Sequence, residues 1–276
     1  MSVARPPAGA RSAARQGEGA PGRRYGRFLL ALLLAPTLYA QIPEAQRRSD
    51  FEFMGADVQA MQRDDTRNPA MLWVQQGAAL WQQAAGPGNK SCASCHGSVT
   101  SLRGVAARYP AFDTQTQGPI NLAQRLNRCR QSQQLATPWE LESEELLALE
   151  SLVALQSRGL PVAVPDDARL QPALERGRQL YTQRLGQLDL SCALCHDQRW
   201  GQRLGGTTIP QGHPTSYPQY RLEWQGLGSL QRRLRNCLSG VRAQAWPLGA
   251  TELVELELFL GVRARGLPLE APGVRP

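Results

Sequence analysis

The sequence has few side chains that could hold a metal or move a proton. Its 276 residues include three histidines, four methionines and a single lysine, Lys90. All four methionines (Met1, Met54, Met61 and Met71) precede residue 72, so methionine chemistry is excluded from the rest of the chain. A membrane-spanning helix needs about 20 consecutive apolar residues; the run "FLLALLLAPTLYA" at 28–40 is shorter than that, so no span is expected in the mature chain. Convincing period-two alternation is absent, which excludes a sheet-rich fold. Charge of one sign is also scarce where it would count. Of the formal +8, most sits in residues 1–40, which carry six arginines and one glutamate. The remaining excess is too small to argue for a nucleic-acid partner.

What is present begins with a leader. Residues 1–22 are rich in Ala, Gly, Pro and Arg without an apolar period, and are expected to be disordered or to precede the true start. Arg23, Arg24 and Arg27 then stand before the apolar run, which ends at the small residue Ala40. A basic region, a short apolar region and a small residue at the cut predict a secretory signal peptide over 1–40.

The mature chain is a tandem duplication. "GAALW…SCASCHG" (77–97) matches "GRQLY…SCALCHD" (177–197) at an offset of 100. "YPAFDTQTQGPINLAQRLNRC" (109–129) matches "YPQYRLEWQGLGSLQRRLRNC" (217–237) at 108, and "ELLALESLVALQSRGLP" (145–161) matches "ELVELELFLGVRARGLP" (252–268) at 107. A period this long means two copies of one small domain rather than a solenoid. The expected domains are 41–160 and 161–276, with "GLPVAVPDD" (159–167) as the linker. Each copy opens with an apolar-stepped helix and closes with a longer one. The closing stripes are Leu146, Leu149, Leu152 and Val153, and then Leu253, Leu256, Phe259 and Leu260, with Thr251 as N-cap and Gly266 and Pro268 at the end. The predicted class is mainly α with long loops, and because each copy also carries a C-x-x-C-H pentapeptide, a haem-attachment pattern, the two tandem domains are expected to be cytochrome c-like.

Cys92-Ala93-Ser94-Cys95-His96 and Cys192-Ala193-Leu194-Cys195-His196 both fit C-x-x-C-H. Two thiols at this spacing can form thioethers to the vinyl groups of one haem, and the adjacent histidine then ligates its iron. Zinc would want a further ligand pair in each half, and a disulfide framework would leave both histidines unexplained. Two covalently bound haem c groups are therefore expected. The Arg23-Arg24 pair resembles a twin-arginine signal, but haem attachment in the periplasm needs an unfolded chain, which favours the ordinary secretory route.

A second axial ligand must come from a short list. The second copy has no methionine, and the spare His213 has no counterpart in the first, so it reads as a loop residue near the second haem. Each copy does hold one spare cysteine before its closing helix, Cys129 and Cys237. Three cysteines per haem then divide into two thioethers and one axial thiolate; a disulfide between Cys129 and Cys237 is the alternative. Arg125, Arg128 and Arg130 surround the first, and Arg232, Arg233 and Arg235 the second. Nearby positive charge favours the thiolate; the alternative is the solvated face of a basic helix.

With these residues the chain resembles the SoxA family, the dihaem subunits of the SoxAX cytochromes of bacterial thiosulfate oxidation. The likeness runs from about Phe51 to Pro268. It is carried by "MQRDDTRNPAMLWVQQGAALW" (61–81), the doubled CxxCH, "RLNRCR" and "RRLRNCLSGVRA". The resemblance implies His/Cys ligation at both irons, by His96 with Cys129 and His196 with Cys237. It implies L-cysteine S-thiosulfotransferase activity, in which thiosulfate is joined oxidatively to a cysteine of the carrier protein SoxYZ. The implied partners are a SoxX-type cytochrome c subunit and a c-type cytochrome that accepts the electrons. It also assigns catalysis to Cys237, as a persulfide, and substrate binding to Arg233, with a further basic residue at Arg263 or Arg242. The first haem is then structural or a reserve electron site. Two other readings stand beside it: a thiosulfate dehydrogenase forming tetrathionate, and a dihaem electron carrier without a substrate. A dihaem peroxidase fits less well, since the chain is short and the second copy lacks a distal Met or His.

Overall fold

The computed structural model describes residues 42–276; the leader expected at 1–40 lies outside them. Among the described residues nine α-helices carry the fold. They are α1 (Ala56–Arg63), α2 (Met71–Gln82), α3 (Cys92–His96), α4 (Leu122–Cys129), α5 (Glu144–Leu155), α6 (Gln171–Thr182), α7 (Cys192–His196), α8 (Leu230–Gly240) and α9 (Thr251–Arg263). None of these helices is long and apolar enough to cross a membrane. In chain order α2, α3, α4 and α5 reappear as α6, α7, α8 and α9, which confirms the duplication as two helical units of the same plan.

The plan depends on one crossing per unit, α2 against α5 and α6 against α9. Gly77 and Gly177 sit at these crossings. A Cβ on Gly77 would stand 2.3 Å from the carbonyl oxygen of Ala148, and one on Gly177 would stand 2.1 Å from that of Glu255. The backbones meet where only glycine fits. Trp81, Val74, Leu149 and Leu152 fill the first crossing, and Tyr181, Leu256, Phe259 and Leu260 the second.

Local chemistry starts most helices where their hydrogen bonds require it. Asn121 and Gln124 form a capping box at α4, and Ser143 and Ser229 cap α5 and α8 through their side chains. Such a cap contributes about 1 kcal/mol. The start of α9 differs from the expectation. Ala250 takes the N-cap position with no side-chain cap, and Thr251 is already helical. Gly266, at φ +86°, ends the segment as expected.

Strands too short to show alternation do occur. β1 (Ala111–Asp113) pairs antiparallel with β2 (Gly118–Ile120), and β3 (Arg203–Leu204) with β4 (Thr207–Thr208). β5 (Gln219–Arg221) pairs antiparallel with β6 (Gly226–Gly228) and parallel with β7 (Gly273–Arg275). Runs of two or three residues carry no readable period.

The sequence boundary at 160 is not a packing boundary. The expected linker is extended and stapled. Val162 N–H donates to the Leu267 carbonyl and Leu269 N–H to that of Leu160, each at 2.8 Å, while Ala163 N–H donates to Ala107 at 2.8 Å. Val162 and Val164 are buried in one core with Ala107, Leu258 and Leu269. Residues 42–68 lie against the second unit: Gln62 Oε1 accepts from Val274 N–H, and Asn68 Nδ2 donates to the Pro272 carbonyl. The closing helices are consequently enclosed beyond the expected stripe, and nearly every residue of α9 from Leu253 to Gly261 is buried.

Replacing Gly177 by alanine is expected to lower stability by about 1–3 kcal/mol, the usual cost of overpacking. Thermal unfolding of the holoprotein reads this directly, and an unchanged Tm would show that α6 and α9 can part freely at Glu255.

Candidate haem sites and thiolate pocket

The two C-x-x-C-H motifs form short helices, α3 and α7. Each is capped by the preceding serine, Ser91 accepting from Ser94 N–H at 3.0 Å and Ser191 from Leu194 N–H at 3.3 Å. Before each motif runs a tight loop closed by a bridge, Ala85 to Lys90 and Leu185 to Leu190. Gly86 and Gly186, both at positive φ, press these loops against the segments that follow the spare cysteines. Their hypothetical Cβ atoms would stand 2.2 Å from the Gln134 carbonyl and 2.1 Å from the Val241 carbonyl. Gln134 Nε2 also donates to the Lys90 carbonyl at 2.9 Å.

This clip carries the spare cysteine to the motif of its own repeat. Burial, followed by the charge of Cys129, pushes the Cys92 thiol up. Cys192 is pushed up to about 12 by burial and next by Cys237. All six cysteines are free, and Cys129 and Cys237 are not joined to each other.

The donors suit covalent haem. Each motif presents two thiols on one helical turn beside an imidazole. Half-buried apolar groups surround them: Val105, Leu126 and Trp139 in the first repeat, Leu180 and Leu234 in the second. His196 is the better positioned imidazole. Its Nδ1 is 2.8 Å from the Pro210 carbonyl, an arrangement that fixes the ring and leaves Nε2 as the ligating atom. Burial holds the ring below its usual value, so it is neutral as a ligand must be. Gly212, at φ +71°, leaves room for the ring; a Cβ there would be 3.0 Å from Nδ1. His96 is exposed, and its nearest aromatic neighbour is Trp81, with ring centroids 5.8 Å apart. His213 is buried on the Gly212 side of His196, with Nε2 3.2 Å from Gln211 Oε1. Burial draws it down to about 3.

The arginines divide sharply by what they touch. Arg128 is paired with the buried carboxylate of Asp113. Arg130 donates to the Thr137 carbonyl at 2.7 Å and lies 4.0 Å over Trp139. Arg232 lies 4.1 Å over Trp224. Arg242 is exposed in a turn at φ +58°. Arg263 is not free for an anion: it is buried, ion-paired with Asp197, and stacked 4.5 Å over the Tyr181 ring. Arg233 is different. It is half-buried one turn before Cys237, and its guanidinium, like those of Arg125 and Arg235, has no hydrogen bond or ion pair among the described residues. Burial opposes its charge, but Cys237, then Tyr217, Glu223 and Asp50, outweigh burial and hold its pKa up.

Two residues here carry no sequence signal. Asp50, in the N-terminal segment, accepts from Gly212 N–H at 3.1 Å and His213 N–H at 3.3 Å, behind His196. Tyr217 stands near Arg233, its hydroxyl pushed up by burial.

Asp113 shows what Arg128 is for. Burial opposes its charge, but bonds from the Thr116 N–H and hydroxyl, together with Arg128, hold the carboxyl down at about 2. A folded-state value below the ordinary 3.8 adds stability that is present above pH 3.8 and is lost as pH falls through about 2. Asp113→Asn is expected to remove this step from an acid-unfolding curve; a wild-type curve flat between pH 4 and 2 would show that the Asp113–Arg128 pair adds nothing.

Residues 76–162 and 176–269 each match the family described as SoxA/TsdA, cytochrome c domain. The chain is 36% identical over 229 residues to the L-cysteine S-thiosulfotransferase subunit SoxA of Rhodovulum sulfidophilum, covering 83% of this chain and 80% of that protein. It is 34% identical to the subunit of the same name from Paracoccus pantotrophus, over 82% of this chain and 78% of that one. The crystal structure of SoxXA from P. pantotrophus superposes with a TM-score of 0.80 at 33% identity, covering 83% of this chain and 87% of that one. The repeated motifs, their helical frame and these likenesses agree, and the chain belongs to the SoxA family of c-type cytochromes.

Proposed function

We propose that the chain works as an L-cysteine S-thiosulfotransferase subunit that conjugates thiosulfate oxidatively to a cysteine of the SoxYZ carrier. The observation that carries this reading is Arg233, an unpaired guanidinium held one turn from the Cys237 thiol. Thiosulfate is a small dianion, and a planar guanidinium fork can hold its oxygens bidentately. The outer sulfur is then directed at Cys237. A thiolate that is positioned and partly exposed is the reactive form of cysteine, and a persulfide is one of its reversible caps.

The balance of the reaction is simple. A carrier thiol and thiosulfate join through a new S–S bond, the thiol proton goes to water, and two electrons leave. Haem c, when bound, supplies the outlet for electrons one at a time. In this reading there are two such groups. Cys92, Cys95, His96 and Cys129 hold the first, and Cys192, Cys195, His196 and Cys237 the second. The exposed His96 and the pairing of Arg128 with Asp113 suit a structural or reserve electron role for the first repeat. Arg263 acts through Asp197 beside His196 and thereby positions the proximal side. The leader pattern and the need to attach haem place the mature protein in the periplasm, beside a SoxX-type subunit and a c-type electron acceptor.

Cys237→Ser is expected to keep two covalent haems by intact mass yet lose thiosulfate-dependent reduction in the presence of SoxYZ. Retained activity would remove Cys237 from the chemistry, and turnover to tetrathionate without any carrier would overturn the conjugation reading. Arg233→Ala is expected to raise the thiosulfate KM roughly 10- to 100-fold, the equivalent of about 1.5–3 kcal/mol for hydrogen bonds to a charged group. An unchanged KM would show that the anion is held elsewhere.

A further inference from the structure

A cavity of about 120 Å³ lies between the two repeats, and three carboxylic acids line it. Glu142 comes from the loop before α5, Glu150 from α5 and Glu257 from α9. Glu150 and Glu257 are the same position in the two copies, at the offset of 107. Tyr109 and Tyr217 complete the titratable lining, and no Arg, Lys or His reaches it. The polar partners are neutral. Asn121 Nδ2 donates to Glu257 Oε2 at 2.8 Å, and Ser229 N–H donates to Glu142 Oε1 at 3.2 Å. Glu150 Oε2 is buried with no partner among the described residues, and Gln231, only 4% exposed, lines the cavity beside Glu257. These acids and amides are set among apolar walls, and the space is large enough for several waters.

An acid buried without a cation is far less costly when it keeps its proton. Burial comes first for both groups here, followed by repulsion from the neighbouring acids at Glu150; Glu150 is pushed up to about 8 and Glu257 to about 7. The location adds a second fact. Asn121 is the N-cap of α4, which ends in Cys129, and Ser229 is the N-cap of α8, which carries Cys237. Each cap is met by an acid of the opposite repeat. The cavity therefore touches the starts of both helices that bear the proposed axial thiolates, and it reaches the site near Arg233 through Tyr217. No group of three His, Cys, Asp or Glu side chains among the described residues is arranged for a metal ion, so the ligand that fits is the proton with water.

We infer that this cavity is a proton-binding site, in which Glu150 and Glu257 take up protons as the two repeats are reduced and release them on reoxidation. This rests on the two-haem reading above. Each electron that turns Fe(III) into Fe(II) adds one negative charge to a repeat. A carboxylate in the cavity then takes a proton from water and becomes the neutral acid. The electrons are those released by the conjugation reaction, so no further reductant is required.

The test uses the holoprotein, with two haems counted by intact mass, and follows midpoint potentials against pH for wild type, Glu150→Gln and Glu257→Gln. In the wild type at least one potential is expected to stay level below about pH 7, where both acids are protonated in either redox state, and to fall at higher pH. Either substitution should reduce that fall. Redox-difference infrared spectra of the wild type, which need no variant to fold, should show the carbonyl band of a buried protonated carboxyl that changes on reduction. Potentials with the same pH dependence in all three proteins, or a wild-type spectrum without such a band, would overturn the inference while leaving the dihaem reading intact. A mass corresponding to fewer than two haems would overturn both.

Discussion

In each repeat a glycine backbone lies directly against a carbonyl of the closing helix, and that contact sets where all other parts of the unit can go. Gly77 against Ala148 and Gly177 against Glu255 bring two helices closer than side chains would allow. The apolar stripes then close over the crossing, and the C-x-x-C-H turn is suspended from the end of the first helix. In the first repeat Trp81 Nε1 donates to the Gly97 carbonyl at 3.0 Å; in the second Tyr181 hydroxyl donates to Asp197 at 3.0 Å. The same position anchors the same turn with different chemistry, which keeps the geometry of the motif while changing its charge.

That change of charge is where the repeats part company. Asp197 draws Arg263 in behind His196, and the longer stretch between His196 and Tyr217 folds Pro210 and Gly212 over the ring. Asp50 arrives from the N-terminal segment to hold that stretch by two backbone N–H groups. None of these parts has a counterpart around His96, which stays exposed. The second imidazole is thus fixed and shielded. The guanidinium near its thiolate is left unpaired, whereas Arg128 in the first repeat is committed to Asp113. The similar basic sequences around Cys129 and Cys237 therefore differ at Arg128, which is committed to Asp113 and stands where the second copy has Asn236.

The covalent and local features of this plan were legible in the sequence. The doubled motif, the spare cysteines and the closing stripes follow from spacing, and spacing survives duplication. The residues that distinguish the copies were not legible, because their partners are remote. Arg128 and Asp113 are joined only when β1 and α4 come together, and Arg263 finds Asp197 only when α9 has crossed α6. Thr251 looked like a cap because its chemistry is right, yet the helix begins with Ala250 at that position. The linker looked loose because it is rich in proline, although its free N–H groups pair with both repeats. Asp50 had no signal at all, since one of the two acids in "RRSDFEF" gains meaning only from the loop it caps.

The exchange of acids across the repeats explains why two cytochrome-like units behave as one body. A helix start exposes N–H groups and a partial positive charge, and an acid nearby is favourable there. Here Glu257 is joined to the cap of α4 and Glu142 to the start of α8, so each unit completes the other's ligand-bearing helix. Separating the units would strand both helix starts and expose the shared core of Ala107, Val162, Leu258 and Leu269. Apolar residues at Glu150 and Glu257 would seal the same interface with less desolvation cost, since burying an acid is unfavourable by itself. Packing alone therefore does not account for a matched pair of uncompensated acids at this interface. Their position beside the two helices that carry Cys129 and Cys237 gives them a consequence that leucine would lack: the charge at one helix start changes with the proton held by the other repeat.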